Sequence, residues 1–335
     1  MNKGERLKVK GYSLIFLGFL VFLVSCNKKP VAIERPAFSS DSAYAYIERQ
    51  MAFGPRVPNS AAHTQCAVWL IEQLRAFGAE VELQKGFMPD YRDHNQQIYN
   101  IIGHFHTPET ASRPRILLGA HYDCRPWCDE EPNYADRLYN VPGANDGASG
   151  VGVLLEIARQ LGLRDSLKTP VDIIFFDCED SGSPKLYTGP EREDTWCLGS
   201  QLWATNYAQK AKSQEPTAKV QYQYGIVLDM IGAPNASFPR EMYSTNYAGN
   251  YQQQIWHTAE QLGYGSLFNS QQSYPITDDH YYINVIAGIP CVDIIHYDIR
   301  NATGFPAGWH TRQDDMNNIS KATLQAVGEV VMSQL

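Results

Sequence analysis

Short apolar runs, rich in β-branched and aromatic residues and bounded by turn formers, alternate along this chain with stretches whose apolar residues recur at helical spacing. Val81–Phe87, Tyr99–Phe105, Arg115–Ala120, Val171–Phe176, Val220–Leu228 and Pro290–His296 read as strands. Helical periodicity marks Ser60–Phe77, Val151–Leu161, Gln201–Lys212, Tyr251–Leu262 and Ile319–Leu335, and Asp41 is expected to cap a further helix ending at Met51. Strands alternating with helices imply an α/β fold, with a twisted, mixed but mostly parallel central sheet and helices on both faces, a three-layer α/β/α sandwich. No repeat, low-complexity tract or domain boundary follows Asp41, so residues 41–335 read as one domain. The loops Cys124–Asn140, Lys185–Asp194 and Tyr297–Gly308 are long, and such loops at a sheet edge often build the site.

The amino terminus follows a different pattern. Lys3, Arg6, Lys8 and Lys10 precede an apolar stretch, Gly11–Val24, too short to span a bilayer comfortably. Leu23-Val24-Ser25-Cys26 looks like a lipoprotein signal, so residues 1–26 are read as a signal peptide ending at a lipidated Cys26. An ordinary secretory signal is the other reading, and both export the protein. Residues 27–40, with Pro30 and Pro36 and no periodicity, read as a tether. A lipid on Cys26 would make the membrane a partner, in a periplasmic lipoprotein of a bacterial host. Asn27 in place of an Asp after the lipidated cysteine favours the outer membrane, facing the periplasm.

Net charge is -8. With a pI near 5.6 and no basic stripe, the chain is not expected to bind nucleic acid. Cys66, Cys124, Cys128, Cys178, Cys197 and Cys291 form no repeated CxxC pair, which argues against a cysteine-based zinc site. Export permits oxidation of some of them, whereas Cys197 and Cys291, in apolar surroundings, are expected to be buried thiols.

Several strand ends carry groups that bind metals or move protons, and in open α/β sheets ligands gather at the carboxyl ends of strands. His121-Tyr122-Asp123 pairs an imidazole with an acid of the kind that orients metal-bound histidines, although a surface histidine beside a turn aspartate would look the same. Asp146 sits among small residues in Gly143–Gly150, where the backbone can approach a ligand closely; alternatively it simply caps the following helix. Asp177, Glu179 and Asp180 crowd the end of an apolar strand and should repel unless a cation or protons are shared. Asp229 repeats the arrangement after Ile226-Val227-Leu228, and Asp278-Asp279-His280 and Trp309-His310-Thr311 complete the set.

GAHYD, PGANDGASG with its LLEIAR helix, FFDCED, LDMIG, TDDH and WHT stand in the order seen in the zinc aminopeptidase-like superfamily, across almost the whole exported chain. Within it the chain most resembles glutaminyl-peptide cyclotransferases of the animal-like type, through Asp229–Asn235, Asp278-Asp279-His280 and Phe305–Thr311. The resemblance implies one zinc per chain, held by Asp146, Asp180 and His310, with a fourth position open for catalysis. It implies cyclisation of N-terminal glutamine of peptides to pyroglutamate with release of ammonia. Glu179 would shuttle the proton, Asp279 and Asp229 would support it, and Trp309 would hydrogen-bond or pack on the substrate. His121 and Asp229 match second-zinc ligands of aminopeptidases, which makes His121 the remnant of a second metal position and a two-zinc aminopeptidase the alternative. A non-catalytic binding lipoprotein is a third reading. Two departures stand out: Asp180 occupies a position where the family often has Glu, and Asp293 one where animal enzymes carry a histidine.

Overall fold

The computed structural model describes Met1, Gly4 and residues 35–190, 192–212 and 220–335. Apart from Met1 and Gly4, the expected signal, with Cys26, lies outside the described residues, as do residues 27–34 of the expected tether. The folded unit starts at Arg35, ahead of the expected start at Asp41. The Arg35 guanidinium donates to the Tyr264 hydroxyl and the Leu262 carbonyl, each at 2.7 Å, and pairs with Glu329. Helix α1 (Ser40–Met51) is capped by Ser39, whose hydroxyl accepts from the Ser42 amide at 3.2 Å, and not by Asp41, which lies inside the first turn.

The central sheet comprises β1 (Glu80–Pro89), β2 (Asn95–Phe105), β3 (Arg115–His121), β4 (Val171–Phe176), β5 (Tyr222–Asp229) and β8 (Cys291–Ile295). Its order is β1-β2-β4-β3-β5-β8. The β1/β2 and β2/β4 pairs are antiparallel, whereas β3/β4, β3/β5 and β5/β8 are parallel, as a mostly parallel mixed sheet requires. Alternation along each strand builds two cores. Ile173 and Phe175 of β4 pack with Leu118, Ile226 and Val292 beneath α1, α2 (Ala61–Ala76), α3 (Ala148–Gly162), α5 (Met242–Gln261) and α7 (Lys321–Met332). Ile174 and Phe176 point the other way, towards Leu117, Val227 and Trp203 of α4 (Leu198–Lys212).

Helix α5 begins well before the expected Tyr251. Glu241 caps it by accepting from the Tyr243 and Ser244 amides, and the polar residues that follow carry no apolar period to betray the helix. The pair β6 (Phe238–Arg240) and β7 (Phe268–Gln272), and the short helix α6 (Asp279–Tyr282) running into a π turn over Ile283–Ala287, were also invisible to periodicity. From β3 the chain crosses through α3 to β4 on one side and then returns to β5 on the other. The carboxyl ends of β3, β4 and β5 therefore meet at a topological switch point.

Candidate active site

Two buried carboxylates hold the loops that carry the reactive groups. Asp123, just past β3, accepts from the Glu179 amide at 3.1 Å and the Asp180 amide at 3.2 Å. Asp314 does the same for Asn145 at 2.7 Å and Asp146 at 3.1 Å. Gly147 (φ 89°) lets Asp146 face the site while α3 starts behind it, because a Cβ there would lie 2.5 Å from the Asp123 carbonyl oxygen. Asp146 is accordingly not the cap of α3; Gly147 takes that position, with no side-chain cap. Of the three acids after β4, Asp177 turns away, bonded to His63 Nε2 and the Tyr99 amide at 2.8 Å each. Only Glu179 and Asp180 reach the cavity.

Asp146, Asp180 and His310 converge as expected: each offers a donor atom, all within 4.8 Å of one another. His310 Nε2 lies 3.2 Å from Asp180 Oδ1 and 3.5 Å from Asp146 Oδ2, and Asp180 Oδ2 is buried without a partner. Two carboxylates and an imidazole, one oxygen of them orphaned, suit a zinc ion with an open position. A second donor group shares Asp146: His121 Nε2 lies 3.0 Å from Asp146 Oδ1 and 3.3 Å from Asp229 Oδ1. His121 is thus not set apart from the site but bridges two of its acids.

Glu179 sits beside these groups with its proton affinity raised well above the usual carboxylate range, by burial and by the nearby charges of Asp180, Asp278 and Asp279. Burial, reinforced by Asp146 and Asp278, also pushes Asp229 up to about 7 against the opposing pull of His121. Asp279, the expected partner of Glu179, is fully buried and does not line the cavity, whereas Asp278 does and lies with Glu179 and Cys197 in one cluster. The two neighbouring acids could not be told apart in sequence, because which one faces the cavity depends on where α6 starts; Asp278 is its cap. Cys197 was expected among apolar residues. Instead its thiol donates to Glu179 Oε1 at 3.2 Å and its amide to the Glu179 carbonyl at 2.8 Å. All six described cysteines are free and buried.

A cavity of about 410 Å³ opens over this floor, walled by Trp196, Ile276, Phe305 and Trp309. The Trp309 ring stacks on His310 (3.7 Å between centroids, 22° between planes) and lies tilted by 36° against Phe305 at 4.4 Å. Trp196 lies parallel to the His310 ring at 6.5 Å. Arg125, which sequence reading passed over, is buried beneath Trp196, with its guanidinium 4.6 Å from that ring. It donates to Asp129, to the Asp180 carbonyl at 3.1 Å and to the Ser183 carbonyl at 3.0 Å, fastening the metal-facing loop to the aromatic wall. Cys178, Cys197, Met230 and His310 all adopt left-handed backbone (φ 50–56°), so strain of about 1–2 kcal/mol per residue gathers at the site.

This sheet edge, with its acidic and imidazole donors around an apolar-walled cavity, defines the zinc aminopeptidase-like class. The chain belongs to peptidase family M28, whose family model matches residues 100–335. It is 26% identical to glutaminyl-peptide cyclotransferase of Bos taurus over 83% of this chain and 76% of that one. The crystal structure of Bacteroides thetaiotaomicron glutaminyl cyclase bound to N-acetylhistamine is 42% identical, with a TM-score of 0.82 and coverage of 89% of this chain and 98% of that one. A Zn-dependent exopeptidase from Parabacteroides distasonis is 43% identical, with a TM-score of 0.82 and coverage of 90% and 99%.

Proposed function

We propose that this chain is a zinc-dependent glutaminyl-peptide cyclotransferase, which closes the N-terminal glutamine of peptides into pyroglutamate and releases ammonia. The observation that carries the reading is the placement of Glu179, an acid of raised proton affinity, next to Asp146, Asp180 and His310 at the floor of a cavity with aromatic walls. Those three residues would hold one zinc ion per chain. When bound, zinc supplies a Lewis acid that polarises the side-chain amide and offsets the charge developing on its oxygen. Glu179 takes a proton from the α-amine as that nitrogen bonds to the amide carbon, then gives one to the departing ammonia. Asp278 replaces Asp279 as its neighbour on the cavity wall, and Asp229 faces the amine from the opposite side. Trp309 and Ile276 exclude water and pack on the glutamine methylenes.

A two-zinc aminopeptidase is the second reading, favoured by the His121–Asp146–Asp229 group and by the exopeptidase neighbour. The relatives and solved structures named as glutaminyl cyclases weigh against it. Incubation with Gln-initiated and Leu-initiated dipeptides separates the two. Ammonia with pyroglutamyl product and near one zinc per chain supports the cyclase; free leucine and two zinc ions would sink it.

The proposal extends to location, supported by the basic and apolar segments before Cys26. The enzyme is exported, lipidated on Cys26 and anchored in a bacterial outer membrane facing the periplasm, where its partners are peptides with N-terminal glutamine. Among the described residues no helix is long and apolar enough to cross a membrane. Labelling with a radioactive fatty acid should mark the wild-type protein and not Cys26→Ala; equal labelling would refute the anchor.

A further inference from the structure

Behind the cavity wall, His280 is completely buried among carboxylates supplied by three different elements. Its Nε2 lies 2.9 Å from Oε2 of Glu241. Glu241 also accepts from the amides of Tyr243, Ser244 and Ile276 at 2.8, 2.6 and 3.1 Å and from the Ser244 hydroxyl at 2.8 Å. An acid met by that many donors is a carboxylate, so Nε2 carries a hydrogen. The other ring nitrogen, Nδ1, faces Asp293 Oδ2 at 3.4 Å and Asp278 Oδ2 at 3.9 Å. His280 Nδ1, Asp278 Oδ2 and both Asp293 oxygens are buried without a hydrogen-bond partner. A bare nitrogen lone pair turned on two carboxylates would bring acceptors together with nothing between them, which a buried site does not tolerate. A proton on Nδ1 resolves the conflict and leaves the ring an imidazolium.

We propose that His280 is a positioning residue for the cyclisation: a buried imidazolium, anchored by Glu241 and countered by Asp293, that fixes the Asp278 carboxylate beside Glu179. Asp278 Oδ1 already accepts from the Asp279 amide at 2.6 Å. With Oδ2 facing the His280 ring at 3.9 Å, the carboxylate is hydrogen-bonded at one end and drawn by the imidazolium charge at the other, which sets its cavity-facing edge. The arrangement also gives Asp293 a purpose, and Ser244 ties the cluster together by accepting from the Asp293 amide at 2.9 Å while donating to Glu241. Burial by itself would strip the proton from the ring, but Asp293, Asp278 and Glu241 outweigh it and hold the imidazole well above its ordinary value. The proposal rests on the cyclase reading for the identity of the reaction and not for the buried cation.

Two measurements test it on the full-length zinc-loaded protein. Nitrogen NMR of protein labelled at histidine should show both His280 ring nitrogens protonated at a pH where a free imidazole is neutral. A neutral ring signature overturns the proposal, as does metal analysis that finds an ion bound at His280, whose donors with Asp278 and Asp293 lie within 4.8 Å of one another. In steady-state kinetics, His280→Gln should keep its zinc and lower kcat by roughly tenfold or more with KM changed less than about twofold. Adding Asp293→Asn should recover lost thermal stability but not kcat. Wild-type kcat in His280→Gln would assign the residue a purely structural role and overturn the positioning. If the single variant does not fold, the NMR result on wild-type protein decides. Absence of pyroglutamyl product from the wild type would remove the cyclase reading and leave the ring protonation to be judged by NMR alone.

Discussion

Asp172 lies at the start of the buried strand β4 and Asp180 just past its end, and both are almost fully shielded from solvent. Near the amino end, Asp172 is met on every side: Arg115 at 2.6 Å, His104 at 2.9 Å and the Tyr222 hydroxyl at 2.6 Å. Past the carboxyl end, Asp180 turns Oδ1 to His310 at 3.2 Å and Arg125 at 3.4 Å, but its Oδ2 is buried with no partner, facing the cavity. A buried charge with all its partners supplied by the protein is structural. A buried charge left short of partners implies something yet to bind. The contrast separates structural from functional acids more sharply than burial does, since the two side chains are almost equally shielded.

Removing the acids of the two ends should therefore have opposite consequences. The largest effect is expected for Asp180→Asn, which should lose zinc and lower ammonia release by at least ~10³-fold; zinc retention with normal turnover would show that Asp180 is not a ligand. Glu179→Gln should keep its zinc and its melting temperature while kcat falls ~10²–10⁴-fold. Unchanged turnover there would break the assignment of the proton shuttle. At the other end, Asp172→Asn should leave kcat untouched yet cost roughly 3–5 kcal/mol in urea unfolding, because Arg115 and His104 lose their shared acceptor. A fall in kcat per folded molecule would instead couple the two ends.

The smallest effect is a pH dependence of stability from the same network. Burial would lower the His104 proton affinity, but hydrogen bonds to Asp172 and Glu82 raise it to about 9. Since the folded value lies above the unfolded one, this contribution is complete below about pH 6.5 and is lost as pH rises through 9. The loss should be on the order of 2–3 kcal/mol, shared with Asp172. Thermal unfolding of wild type and His104→Gln between pH 6 and 10 checks it: the gap between the two curves should be widest near pH 6 and close as pH rises through 9. Curves that run parallel would remove His104 from the account.

How much of this was legible in sequence follows from the physics of each signal. The strands of the parallel core were visible because burial on both faces demands near-continuous apolar runs, as in Ile173–Phe176. The grouping of Asp146, Asp180 and His310 was legible because they lie in short motifs that resemble a known family, and the fold brings their donor atoms within 4.8 Å of one another. The amino end of α5 was hidden, since its cap, Glu241, acts through hydrogen bonds and leaves no apolar period. Arg125 was passed over because a lone arginine has no sequence signature; the loop carbonyls it fastens lie 55–58 positions away.

What the chain determined by itself was the alternation of strands and helices, the chemical types gathered at the strand ends, and their order. Those features depend on neighbouring residues and on periodicity, which the linear sequence contains. Tertiary structure alone decided which acids face the cavity. It turned Asp177 towards His63, chose Asp278 over Asp279, placed His121 between Asp146 and Asp229, and buried His280 between Glu241 and Asp293. Adjacent carboxylates are chemically alike, and only the partners brought by distant segments set which of them carries charge, holds a proton or is left free to bind.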